Sequence, residues 1–92
     1  MTTLALVKIQ QRMVELKDWN FEGNSISKEL SFLSFRESVD FINKIAELAE
    51  KVNHHPDILI SYNNVRLVLT THTEKGLTDI DFEMAKMIDS LG

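Results

Sequence analysis

The stretch SFRESVDFINKIAELAEKVNHHPDILISYNNVRLVL, residues 34–69, decides the fold. Ser34 and Glu37 stand at the spacing of a capping box, in which a serine hydroxyl accepts from the third backbone N–H of a helix and the glutamate reaches back. Behind them Phe35, Val39, Ile42, Ile45, Ala46, Ala49 and Val52 recur at helical intervals and make one apolar stripe. The ring of Pro56 disfavours the α conformation in the residue before it, so the helix has to stop near Asn53 to His55. His54 and His55 therefore stand at a helix exit. Beyond Pro56 the apolar period drops to two. Ile58, Ile60 and Tyr62 alternate before Asn63-Asn64, and Val65, Leu67 and Leu69 alternate after it, which predicts a hairpin turned at the two asparagines. These strands are apolar and β-branched enough to be half buried.

The flanking segments repeat the theme. Upstream, Trp19–Glu22 and Ile26–Phe32 flank Gly23-Asn24, a pair suited to the positive φ angles of a tight turn, and predict a first hairpin. Before it, Leu6, Val7, Met13, Val14 and Leu16 follow helical spacing between Thr3 and about Leu16, with Thr2 or Thr3 available as a cap. Downstream, a loop at Lys75-Gly76 leads to a helix opening at Thr78, with Asp81 in the box position, and running through Phe82, Met84, Ala85 and Ile88 towards Leu91. The order is α-β-β-α-β-β-α. Short hairpins require antiparallel pairing, and helices separated by hairpins stack on one face of the resulting sheet. The expected class is α+β, a four-stranded antiparallel sheet with three helices on one face.

Composition narrows the function. Ninety-two residues, 43% hydrophobic, suit one domain over residues 1–92 with one core. The net charge is −4 and the basic residues are scattered singly from Lys8 to Lys86, a poor basis for nucleic-acid binding. With no cysteine, disulfides, thiolate metal sites and a cysteine nucleophile are excluded. Lys8, Gln10, Gln11 and Arg12 interrupt the apolar residues of the first stretch, which argues against a signal peptide or membrane span. A cytoplasmic protein with no membrane partner is the expectation.

All three histidines fall between His54 and His72. The second hairpin runs back on itself, so His72, near the end of its second strand, returns towards the level of Pro56 and Asp57. Imidazole, with an ordinary pKa of about 6.5, both gives and takes protons near neutrality, and two such groups about one small molecule could serve as acid and base. Three imidazoles are also enough to hold zinc, but adjacent histidines project in different directions and the helical spacing of four is absent. The plain alternative is that His54 and His55 end a helix and His72 ends a strand. Tyr62 and Trp19 read first as core, and Asp81 as a cap. Spacing alone leaves these readings open.

The run Glu50-Lys51-Val52-Asn53-His54-His55-Pro56, followed by Tyr62, Thr71-His72 and Asp81, resembles the signature of the pterin carbinolamine dehydratases. Trp19, Ser34-Phe35, Ala46–Glu50 and Gly76-Leu77-Thr78 extend the similarity over nearly the whole chain. The resemblance implies the same α+β fold and dehydration of a 4a-hydroxytetrahydropterin to a quinonoid dihydropterin, with no cofactor and no metal. It implies His54 and His72 as the acid/base pair, His55 as a residue that binds and orients the ring, and Asp81 beside the histidines, fixing an imidazole tautomer or holding the pterin's polar edge. Glu50 and Tyr62 match signature positions that read as pocket or scaffold. The resemblance also implies a homodimer or homotetramer, and in some relatives a protein partner bound through a helical surface. Asn53 stands where some relatives have aspartate, and Ile58 where some have tryptophan; neither change removes a histidine.

Overall fold

The computed structural model describes residues 2–91. Helix α1 is Leu6–Met13, strands β1 and β2 are Asn20–Glu22 and Ser25–Ser31, and α2 is Phe35–Val52. Strands β3 and β4 are Asp57–Ser61 and Asn64–Leu69, a 3-10 turn spans His72–Glu74, and α3 is Asp79–Asp89. The sheet is antiparallel throughout, in the order β1-β2-β4-β3.

The alternation in β2 and β4 fixes which face the helices cover. Ile26, Lys28 and Leu30 stand opposite Leu69, Leu67 and Val65. Ile26, Val65, Leu67 and Leu69 are buried, together with Ile45 and Ala49 of α2 and Phe82, Met84, Ala85 and Ile88 of α3. The helices therefore share one face, and α1 joins them through Ile9. Arg12 secures α1 to the start of α3, its guanidinium 2.9 Å from Asp79 Oδ1 and 5.4 Å from the centre of the Phe82 ring. The other sheet face carries Glu22, Glu29 and Arg66, with the guanidinium within 3.4 Å of both carboxylates.

Three expectations are corrected. Helix α1 begins at Leu6 behind Ala5, with no side-chain cap, and not at a capping threonine; its first helical residue is delayed because the Leu4 N–H donates to the Leu77 carbonyl at 2.8 Å, which holds this segment extended. The second hairpin turns at Tyr62-Asn63, one residue earlier than expected, with Ser61 paired to Asn64. Asn63 sets this turn: its carbonyl accepts from the Phe32 N–H at 2.8 Å and its side-chain amide donates to the Phe32 carbonyl at 2.9 Å, so Tyr62 takes the left-handed φ of 54°. Finally, β3 is an edge strand with exposed Leu59 and Ile60, so only Ile58 is partly sheltered against the core.

Candidate active site

The site begins with the way α2 stops. Asn53 adopts the left-handed conformation, φ 54° and ψ 44°, which a short amide side chain tolerates better than most non-glycine residues. The Asn53 N–H donates to the Ala49 carbonyl, and so does the His54 N–H, at 3.1 Å. One carbonyl at the helix end thus accepts both N–H groups, and Pro56 prevents the helix from resuming. His54 is thereby fixed by backbone geometry before its side chain meets anything.

Its ring then reaches the start of α3. His54 Nε2 is 2.6 Å from Asp81 Oδ1, with the histidine side chain 14% exposed and the carboxylate wholly buried. Asp81 Oδ2 accepts from the Thr78 N–H at 2.9 Å and from the Thr71 hydroxyl at 2.8 Å. The Thr71 oxygen in turn lies 2.7 Å from that of Thr78. With its proton given to Asp81, Thr71 accepts from Thr78, and the buried hydroxyls form a short directed chain. A carboxylate can only accept, so His54 carries its proton on Nε2, leaving Nδ1 as the other ring nitrogen. One side chain therefore closes the N-terminus of α3 and sets a tautomer.

His55 is held differently. Its Nε2 is 2.6 Å from Glu50 Oε2, one turn back on α2, in a pair that faces solvent on both sides. His72 lies just past β4 at the first position of the 3-10 turn, exposed, not at a strand end. Thr71 and Gly76 bridge across the base of this loop, the Thr71 N–H donating to the Gly76 carbonyl at 3.0 Å.

A cleft of about 290 Å³ is bordered by Asn53–His55 on one side and Thr70–Thr73 on the other, so all three histidines share it. Asp81 does not line it; the carboxylate stands behind His54 as the support that fixes a tautomer. Tyr62 lies at the opposite end of the β3–β4 hairpin, away from the cleft. Among the described residues no three His, Asp or Glu side chains are grouped to hold a metal ion. A larger hollow of about 520 Å³ on the uncovered sheet face contains no histidine, and the cation bordering it, Arg66, is already paired with Glu22 and Glu29.

Nearly the whole chain, residues 2–91, matches the family model described as pterin 4 alpha carbinolamine dehydratase. The chain belongs to this family. A protein of Sulfurisphaera tokodaii, provisionally named a pterin-4-alpha-carbinolamine dehydratase, is 44% identical over 99% of this chain and 98% of its own length. One of Trichodesmium erythraeum, with the same provisional name, is 44% identical over 96% and 95%. Among solved structures, a transcriptional coactivator/pterin dehydratase of Brucella melitensis superimposes with a TM-score of 0.93 at 29% identity, covering 98% of each chain. A pterin dehydratase-like RuBisCO assembly factor of the α-carboxysome shares the fold, with a TM-score of 0.71 at 24% identity over 84% of this chain and 92% of its own.

Sequence reasoning did not assign roles to Thr70, Thr71 and Thr73 around the cleft, nor to Asn53 as the residue that aims His54. The signal for Asn53 was available: an asparagine directly after the last apolar position, Val52, and three before a proline suits a left-handed helix end.

Proposed function

We propose that this chain removes water from a 4a-hydroxytetrahydropterin, giving the quinonoid dihydropterin by histidine acid/base catalysis. The observation that carries the reading is the shared cleft of His54, His55 and His72, with His54 held in one tautomer by buried Asp81. In the reaction the 4a-hydroxyl accepts a proton and departs as water, while a ring nitrogen loses one as the new double bond to the 4a carbon forms. Two histidines facing one ligand can perform both transfers, and no electron changes hands. His54 and His72 are assigned to this pair. His55, exposed and steadied by Glu50, is assigned to binding and orienting the ring. Asp81 acts through His54. Recycling of tetrahydropterin in the cytoplasm, by a homodimer or homotetramer, belongs to the same reading.

The test is to generate the 4a-hydroxytetrahydropterin chemically and follow its decay with wild type, His54→Ala and His72→Ala. Acceleration by wild type and its loss in each variant is the expected pattern. No acceleration over buffer by wild type sinks the enzyme reading, and full activity in either variant sinks the residue assignment. A rate independent of pH between about 5 and 8 also contradicts histidine proton transfer.

The family resemblance to proteins that bind partners through a helix supports a second reading, because Leu6 and Val7 of α1, and Val14 directly after it, are exposed. The outward surface of α2 is mixed: Asp40, Asn43, Lys44 and Glu47 are exposed, and so are Phe35 and Ala46, with Val39 and Ile42 half-buried between them. A protein that binds no partner when α1 carries Val7→Ser and Val14→Ser, but does so as wild type, is the result expected of this reading.

A further inference from the structure

The loop carrying His72 is closed at its base and then held from outside. Inside, Thr71 and Gly76 exchange backbone hydrogen bonds of 3.0 and 3.4 Å, the Glu74 N–H donates to the Thr71 carbonyl at 3.0 Å, and the Lys75 N–H to the His72 carbonyl at 3.2 Å. Lys75 takes a φ of 57° to complete the turn. Outside, the extended segment ahead of α1 lies across the loop's last two residues. The Leu4 N–H donates to the Leu77 carbonyl at 2.8 Å, and the Leu4 side chain packs against the core. Thr3 sits so close to Gly76 that a Cβ there would come within 3.0 Å of Thr3 Cγ2 and 3.6 Å of Thr3 Cβ.

We propose that Thr3 and Leu4 are positioning residues for His72, acting as a strap that fixes the base of its loop through Gly76 and Leu77. The strap does not line the cleft; its influence passes through the Thr71–Gly76 bridge. Thr71 is also the donor to Asp81, so the same bridge ties the His72 loop to the carboxylate that orients His54. Displacing the strap therefore shifts one histidine relative to the other, and acid/base transfer is sensitive to shifts of an ångström. The φ of Gly76 lies outside the left-handed region, and the neighbours within 4 Å of an added Cβ both belong to Thr3, which has to give by a few tenths of an ångström to admit it. That makes Gly76→Ala a probe of this one contact. The catalytic consequence rests on the dehydratase reading, whereas the structural one does not.

The experiment pairs amide hydrogen exchange of Thr73–Lys75 with kinetics on chemically generated 4a-hydroxytetrahydropterin. Gly76→Ala is expected to speed loop exchange by about tenfold through easier local opening. It is also expected to lower kcat by about ten- to a hundredfold, with KM changed less. Thr3→Ser removes the Cγ2 that the new Cβ meets, so Gly76→Ala/Thr3→Ser is expected to recover both properties. In a His72→Ala background Gly76→Ala is expected to cost little further activity, because the two act through the same group. Thr3→Gly, at an exposed position, is the second probe if Gly76→Ala fails to fold, and is expected to speed loop exchange in the same direction. Unchanged exchange in Gly76→Ala, or in Thr3→Gly where that stands in, overturns the strap; an undiminished kinetic loss in the His72→Ala background overturns its action through His72. If wild type has no dehydratase activity, the exchange data still decide whether the strap holds the loop.

Discussion

Replacing Asp81 with asparagine separates the two tasks of one buried side chain. The carboxylate accepts from Thr78 N–H and the Thr71 hydroxyl through Oδ2, and from His54 Nε2 through Oδ1. An amide of the same shape has one accepting end. If the oxygen faces Thr71 and Thr78, the NH₂ group faces His54 and needs a lone pair on Nε2, which drives the ring proton to Nδ1. If the amide flips, two donors meet its NH₂ inside the protein. Hydrogen bonds to a charged acceptor contribute about 1.5–3 kcal/mol, and the first orientation keeps two in neutral form, so a loss of about 2 kcal/mol follows for Asp81→Asn. For a domain of this size that lowers Tm by about 8–16 °C. Below the new Tm, activity is expected to fall by about ten- to a hundredfold, the usual scale for losing a partner that orients a functional histidine. The assay is decay of the 4a-hydroxytetrahydropterin, with the ¹⁵N signals of His54 reporting the tautomer. Wild-type activity with the proton still on Nε2 refutes the assignment of Asp81 as the group that orients His54.

Other substitutions probe separate links. Asn53→Gly is expected to leave Tm within a few degrees of wild type, whereas Asn53→Val, β-branched in a left-handed position, is expected to cost about 1–2 kcal/mol by thermal melting. Glu50→Gln weakens an exposed pair with His55 and is expected to change stability by less than about 1 kcal/mol while raising KM more than it lowers kcat. Asp89→Ala removes the partner of Lys28, whose ammonium is 2.8 Å away with both side chains nearly buried, and of the Trp19 indole N–H at 2.9 Å. A loss of about 3–5 kcal/mol in denaturant unfolding is expected, with kcat retained where the variant is folded, because this cluster lies at the far end of α3 from Asp81.

What could be read from the sequence followed how local each determinant is. Ser34, Glu37 and Pro56 bracket α2 closely, since capping and the restriction before proline act within a few residues, and Ser34 does accept from the Glu37 N–H at 3.1 Å. The start of α1 could not be read, because the bond that delays it runs from Leu4 to Leu77. Tyr62 continues the alternation of Ile58 and Ile60, yet Asn63 pairs with Phe32 in the preceding loop and sets the turn one residue earlier. At the site, the clustering of histidines was legible from the hairpin, whereas the meeting of His54 with Asp81 depends on how the end of α2 packs against the start of α3. Lys28 carried an unread signal. It falls between Ile26 and Leu30 on the inward face of β2, where a cation requires a partner, and Asp89 supplies it.

The cleft shared by His54, His55 and His72 is proposed to dehydrate a hydroxylated tetrahydropterin. The most direct measurement is the stopped-flow decay of 4a-hydroxytetrahydropterin with wild type and with the folded double variant His54→Ala/His72→Ala. Acceleration by wild type, and a rate close to that of buffer with the double variant, is the predicted result. Equal rates for the two proteins contradict it.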